Sequence, residues 1–104
     1  MQRIAFVMQV QPGYEEEYKR RHDEIWPEML EACKKAGLHN YSIYRYGLLL
    51  FAYAEVDNFK KMVQRLAKDS ANAKWQKYMG PIMRIDVDQS IGFPFLLPEM
   101  FHMD

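Results

Sequence analysis

The amino-acid sequence predicts an α+β domain in which helices pack on one face of a mainly antiparallel sheet. Two observations carry that expectation. Stretches with two-residue apolar alternation and stretches with helical spacing follow one another in the order strand, helix, strand, strand, helix. Turn-forming residues fall between them, at Pro12-Gly13, Gly37, Gly47 and Gly80-Pro81. At 104 residues the chain is a single domain, 1–104, long enough for one hydrophobic core and too short for two.

RIAFVMQV sets Ile4, Phe6, Met8 and Val10 on one face and Ala5, Val7 and Gln9 on the other. Both faces are largely apolar, the mark of a central strand. Tyr14 to Ala36 has helical periodicity, with Gly37 as its stop. Pro27 removes a backbone hydrogen bond and crowds the carbonyl of Asp23, so the helix is expected to kink or break there and open space beside His22. NYSIYRY and LLLFAYAEV read as a hairpin closed around Gly47. Asp57 is the expected N-cap of a helix carrying Phe59, Met62, Val63, Leu66 and Ala67. Ser70 is expected to cap a further piece in which Trp75, Tyr78 and Met79 share a face. MRIDVDQS can supply a fourth strand, which completes a ferredoxin-like split βαβ topology. Tyr41, Ile43, Phe51 and Tyr53 exceed what two helices can cover. A homodimer with facing sheets, the dimeric α/β barrel, or a ligand pocket, or both, is therefore expected. The apolar tail IGFPFLLPEMF is expected to pack on the partner subunit.

Composition narrows the partners. Fourteen basic and fourteen acidic residues cancel, so no net field draws the chain to nucleic acid or to an anionic membrane. A small neutral ligand fits that balance. Cys33 is the only cysteine, which rules out an intrachain disulfide and points to a reducing, cytoplasmic setting. No run approaches the roughly 20 apolar residues that span a bilayer, and the N-terminal segment lacks the pattern of a signal peptide.

The chemistry centres on YKRRHDEIWPEM. At about 100° per residue, with Tyr14 at zero, Ile25 falls near 20°, Tyr18 near 40° and Met29 near 60°. His22, at about 80°, lies inside that apolar stripe. Tyr18 and His22 are an i, i+4 pair whose side chains can meet on one ligand. Glu15, Glu16 and Glu17 stand four residues before Lys19, Arg20 and Arg21 and read as solvated surface pairs. Two roles are open to an inward histidine. It can be a hydrogen-bonded core residue, or an acid-base group suited to neutral pH. His39, His102 and Cys33 have no ligand spacing, so no metal site is expected.

The blocks AFVMQV, EEYKRRHDEIWPEM, HNYSIY, WQKYM and LLPEMFHMD, in this order from one end of the chain to the other, resemble the L-rhamnose mutarotase family. The resemblance implies a homodimer of ferredoxin-like topology that interconverts the α and β pyranose anomers of L-rhamnose without a cofactor. It implies that His22 is the proton donor and that Tyr18, Tyr41 and Trp75 bind the sugar. The family pattern carries a second tryptophan before KYM. Here that position is Gln76, which offers a hydrogen bond where a ring would pack. Met8 or Ile43 is expected to line a niche for the rhamnose methyl, and a tyrosine, Glu28 or a water to be the second proton-transfer partner. A cofactor-light monooxygenase or haem-degrading enzyme, and a non-catalytic ligand-binding module, are the alternatives on the same topology.

Overall fold

The computed structural model describes residues 1–104. Strand β1 (Gln2–Val10) is followed by helices α1 (Glu15–Asp23) and α2 (Pro27–Lys35), strands β2 (Leu38–Tyr46) and β3 (Leu49–Val56), and helices α3 (Phe59–Ala67) and α4 (Ser70–Met79). Short strands β4 (Met83–Arg84), β5 (Val87–Asp88) and β6 (Phe93–Pro94) complete the chain. The main sheet is antiparallel with order β2-β3-β1-β4, so β1 is interior as its two apolar faces require. Its register with β3 runs from Gln2↔Val56 to Gln9↔Leu49. Phe6, Met8 and Val10 therefore join Leu50, Ala52, Ala54 and Val56 on the helix side, where all are buried. Burying a side chain such as Leu50 or Met62 contributes roughly 1.5–3 kcal/mol.

Pro27 breaks the predicted helix outright. Trp26 takes the extended conformation (φ −67°, ψ 138°) that a following proline favours. Pro27 then opens α2 at its first turn, where a missing N–H costs nothing. Gly37 ends α2 at φ +89°. Both expected N-caps are displaced by one residue. Asn58, not Asp57, accepts from the Lys61 amide, and Asp69, not Ser70, accepts from the Asn72 amide. Asp57 instead accepts from His39 Nε2 at 3.1 Å.

The hairpin hides one irregularity. His39 pairs with Glu55 but Ser42 pairs with Tyr53, so β2 carries one extra residue. Asn40 absorbs it at φ +47°, a region asparagine tolerates, and its side chain donates to Glu55. Beyond the bulge Ser42 pairs with Tyr53 and Ile43 with Ala52, so alternation sets Tyr41 on the Ala54 side, and the extra residue at Asn40 lets Leu38 pair with Val56 on that same side. Tyr41 thus faces the helices, where its ring lies 6.1 Å from Phe6. Ile43, opposite Ala52, faces the same way. Of the four residues thought too many for the helices to cover, only Phe51 and Tyr53 remain on the far side.

The fourth strand is realised as two residues beside Gln9 and Val10. The chain then leaves to form the β5–β6 hairpin, and Phe93 returns edge-on to Phe6 at 4.8 Å. Leu96 bridges to Phe6 and the Leu97 amide donates to the Ala5 carbonyl, extending the sheet edge that β4 began. The start of the apolar tail is thus tied to the chain's own sheet, yet Phe95, Leu96 and Leu97 stay partly exposed, and Met100, Phe101 and Met103 are more exposed still.

Candidate active site

Helix α1 presents Tyr18 and His22 one turn apart. His22 Nδ1 lies 3.0 Å from the Tyr18 carbonyl oxygen. A carbonyl only accepts, so Nδ1 carries the hydrogen and Nε2 holds the lone pair of the neutral ring. Nε2 bonds to no group of the chain. No buried side-chain nitrogen or oxygen lacks a partner, so the unpartnered His22 Nε2 and Tyr18 hydroxyl both open to solvent-accessible space. Both roles open to His22 are therefore filled by different atoms: one nitrogen holds the ring and the other is free.

Aromatic neighbours fix the imidazole plane. Tyr18 stacks on it at 4.3 Å between ring centres, and Trp75 of α4 meets it edge-on at 5.3 Å and 86°. Trp26 stands edge-on to Trp75 at 5.1 Å, and Tyr78 lies against Trp26. Arg21 closes the series. Its guanidinium sits 4.0 Å over the Tyr78 ring, donates to the Tyr78 carbonyl, and pairs with Glu17 at 2.6 Å. The expected i, i+4 pairs form only here. Glu15 accepts from the Gly13 amide instead, and Arg20 bonds Glu17 and Glu24. Hydrogen bonds from Arg20 and Arg21 hold the Glu17 carboxyl down at about 2. Arg21, largely buried, therefore ties α1 to α4 and is no mere solvated surface charge.

Burial lowers the His22 pKa, opposed by its bond to the Tyr18 carbonyl. The ring is consequently neutral at pH 7. Burial also raises the Tyr18 phenol, and it raises Tyr41 together with the nearby Tyr18 and Cys33. One side of the Tyr41 ring stays exposed, but its hydroxyl end is desolvated. Both tyrosines are neutral hydroxyls that can give and accept hydrogen bonds.

These elements enclose a cavity of about 940 Å³ between the helices and the sheet, at the large end of the usual range for small-molecule sites. Tyr18, His22, Tyr41, Trp75 and Gln76, all drawn from the sequence, line it together, and so do Met8 and Ile43. Against His22 lies a recess of about 60 Å³ whose remaining walls include Met79, Met83, Ile85 and Gln76. Glu28 borders neither space. The side chains bring no group of three or more His, Cys, Asp or Glu residues into metal-binding proximity.

Sequence reasoning missed four contributors. Trp26 braces Trp75, and its place at about 120° on the same wheel, at the edge of the apolar stripe, was the available signal. Asn72 lines the cavity and stands four residues before Gln76, a spacing visible in the sequence. Ile85 and Phe93 close the cavity from the C-terminal segment, where the alternation of Met83, Ile85 and Val87 marks a strand without saying what it covers.

An aromatic-walled pocket with phenol hydroxyls and one free imidazole nitrogen can hold a small molecule by hydrogen bonds and exchange a proton with it. The model of the L-rhamnose mutarotase family matches residues 3–103. The L-rhamnose mutarotase of Oceanobacillus iheyensis is 43% identical over 100% of both chains, and that of Bacillus subtilis 41% identical over 100% of both. The crystal structure of an L-rhamnose mutarotase from Formosa agariphila superposes with a TM-score of 0.81 at 31% identity over 100% of both chains. Tetracenomycin F2 cyclase from Streptomyces glaucescens shares the fold, at TM-score 0.65 and 12% identity, covering 100% of this chain and 98% of its own. The chain belongs to the L-rhamnose mutarotase family.

Proposed function

We propose that this protein interconverts the α and β pyranose anomers of L-rhamnose, with His22 Nε2 as the group that moves the proton. The observation that carries this reading is the tautomer. Because the Tyr18 carbonyl holds Nδ1–H, the neutral ring arrives with its basic nitrogen free. Nε2 takes the proton from the anomeric hydroxyl as the bond from C1 to the ring oxygen breaks. The electron pair of that bond goes to the ring oxygen, which receives the proton back from the imidazolium. Both oxygens are attached to C1, so one nitrogen can serve them in turn. Rotation of the open aldehyde and the reverse steps give the other anomer. The role of donor implied for His22 is thus its second act. A positioned acid-base group contributes about 10²–10⁴ in rate, sufficient for a reaction that also proceeds in water.

Tyr18 and Tyr41 would orient sugar hydroxyls, Trp75 would lie on the apolar C–H face of the ring, and Gln76 would meet the substrate at the rim. Glu28 drops out as the second proton-transfer partner, since it does not reach the cavity. Family membership sets aside the monooxygenase, haem and non-catalytic alternatives. We place the enzyme in the cytoplasm as a homodimer. Support for the dimer is the apolar outer face of the sheet, with Tyr44, Tyr46, Leu49 and Phe51 uncovered, together with the exposed Met100, Phe101 and Met103 of the tail. No helix is long and apolar enough to cross a membrane.

Saturation-transfer NMR of L-rhamnose tests the assignment. His22→Ala should remove the acceleration of anomer exchange while its circular dichroism stays that of the parent; exchange at the parental rate would refute it.

A further inference from the structure

Two amides beside His22 are oriented without ambiguity. Asn72 Nδ2 donates to the Leu66 carbonyl at 3.0 Å, and since that carbonyl only accepts, Asn72 must turn its Oδ1 the other way. That oxygen lies 3.2 Å from Gln76 Nε2. Gln76 must therefore donate to it, which leaves Gln76 Oε1 as an acceptor with no partner in the chain. A single backbone carbonyl thus sets both amides, and Asn72 is held further by its own backbone amide at the Asp69 cap. Gln76 lines both the main cavity and the small recess.

Met8, Met79, Met83 and Ile85 form an apolar part of the recess wall, and the hydroxyl-bearing Tyr18 and Tyr41 line the rest with His22 and Trp75. A nitrogen that serves both the anomeric and the ring oxygen has, next to it, the carbon that bears the exocyclic substituent of the pyranose. The methionine and isoleucine part of the wall suits the methyl of L-rhamnose. The acceptor at its margin has nothing to bond in a methyl.

We propose that Gln76, positioned by Asn72, is a specificity-determining residue that admits the 6-hydroxylated counterpart of the substrate, L-mannose, by accepting its C6 hydroxyl. This rests on the mutarotase reading of the same site. Gln76 is exposed, so water competes for its amide, and the gain is that of one solvent-accessible hydrogen bond.

The experiment is the ratio of kcat/KM for L-mannose to that for L-rhamnose, measured by anomer-exchange NMR. The wild-type chain is compared with Gln76→Leu and Gln76→Trp. Gln76→Leu should lower the ratio by roughly 2- to 12-fold, and Gln76→Trp, which also fills the space, by at least as much. Circular dichroism of each variant reports that the fold is intact, and the ratio cancels any change common to both sugars. A ratio unchanged in Gln76→Leu, whether both rates hold or both fall together, overturns the proposal and leaves the mutarotase reading standing. Absence of L-rhamnose exchange in the wild-type chain overturns both.

Discussion

On the helix side of β1 and β3, Phe6, Met8, Val10, Leu50, Ala52, Ala54 and Val56 are each at most 8% exposed, whereas Leu49 and Phe51 on the opposite side keep 39% and 36%. Both sets alternate along the same two strands. The helix side is complete within one chain and encloses the cavity; the outer side offers aromatic and aliphatic surface that the chain never covers. Local sequence specifies alternation, and only the count of available covering elements decides which apolar face is core and which stays uncovered.

Leu50→Ala should give the largest loss on this comparison, about 2–5 kcal/mol of unfolding free energy, because Leu50 is 1% exposed and its deleted methyl groups leave a void beside the cavity it already lines. Phe51→Ala is expected to cost the isolated subunit under about 1 kcal/mol, with its effect appearing as a shift in the concentration at which subunits associate. Urea denaturation paired with sedimentation would check both; equal losses that do not depend on concentration would break the distinction. Tyr41→Phe should lower kcat/KM in the anomer-exchange assay by up to about tenfold, the loss of one hydrogen bond to the sugar; a rate equal to the parent's would leave Tyr41 a packing role only. Arg21→Ala releases α1 from α4 and should cost roughly 1–2 kcal/mol from its ion pair and its contact with the Tyr78 ring. Thermal unfolding would read the loss. Arg3→Ala, which breaks an exposed pair with Glu99 that pins the tail, should have the smallest effect on thermal unfolding, and a smaller one still in high salt.

The pH dependence follows from the lowered His22 pKa. The unfolded chain takes up a proton at this residue at a higher pH than the folded one does. The stability tied to neutral His22 is therefore fully present above the unfolded pKa of about 6.5. It declines as pH falls from there through the folded value. Activity should move in the same direction, since only the neutral ring has Nε2 free to accept.

Much of this was legible in the chain, because periodicity and punctuation are local. The strand order, the break at Pro27, the hairpin at Gly47 and the convergence of Tyr18 with His22 all follow from spacing. Tyr41 was named as a candidate site residue, but its direction was not read, since alternation along β2 sets Tyr41 and Ile43 on one face without saying which face the helices cover. Both caps were misplaced by one because Asp57-Asn58 and Asp69-Ser70 each offer two capable side chains, and tertiary contacts choose between them. Asp57 goes to His39 and leaves the cap to Asn58. Arg21 was read as surface because its partner, the Tyr78 carbonyl, is 57 residues away in the chain.

The central claim is that one imidazole, held by the Tyr18 carbonyl, presents a free Nε2 to the sugar. Nitrogen-15 NMR of the histidine rings across a pH series, alongside the rate of L-rhamnose anomer exchange, tests it most directly. The account predicts a neutral His22 with its proton on Nδ1, titrating below the ordinary histidine range with a midpoint shared by kcat/KM. A proton found on Nε2 in the neutral ring, or a rate profile indifferent to the His22 titration, would contradict it.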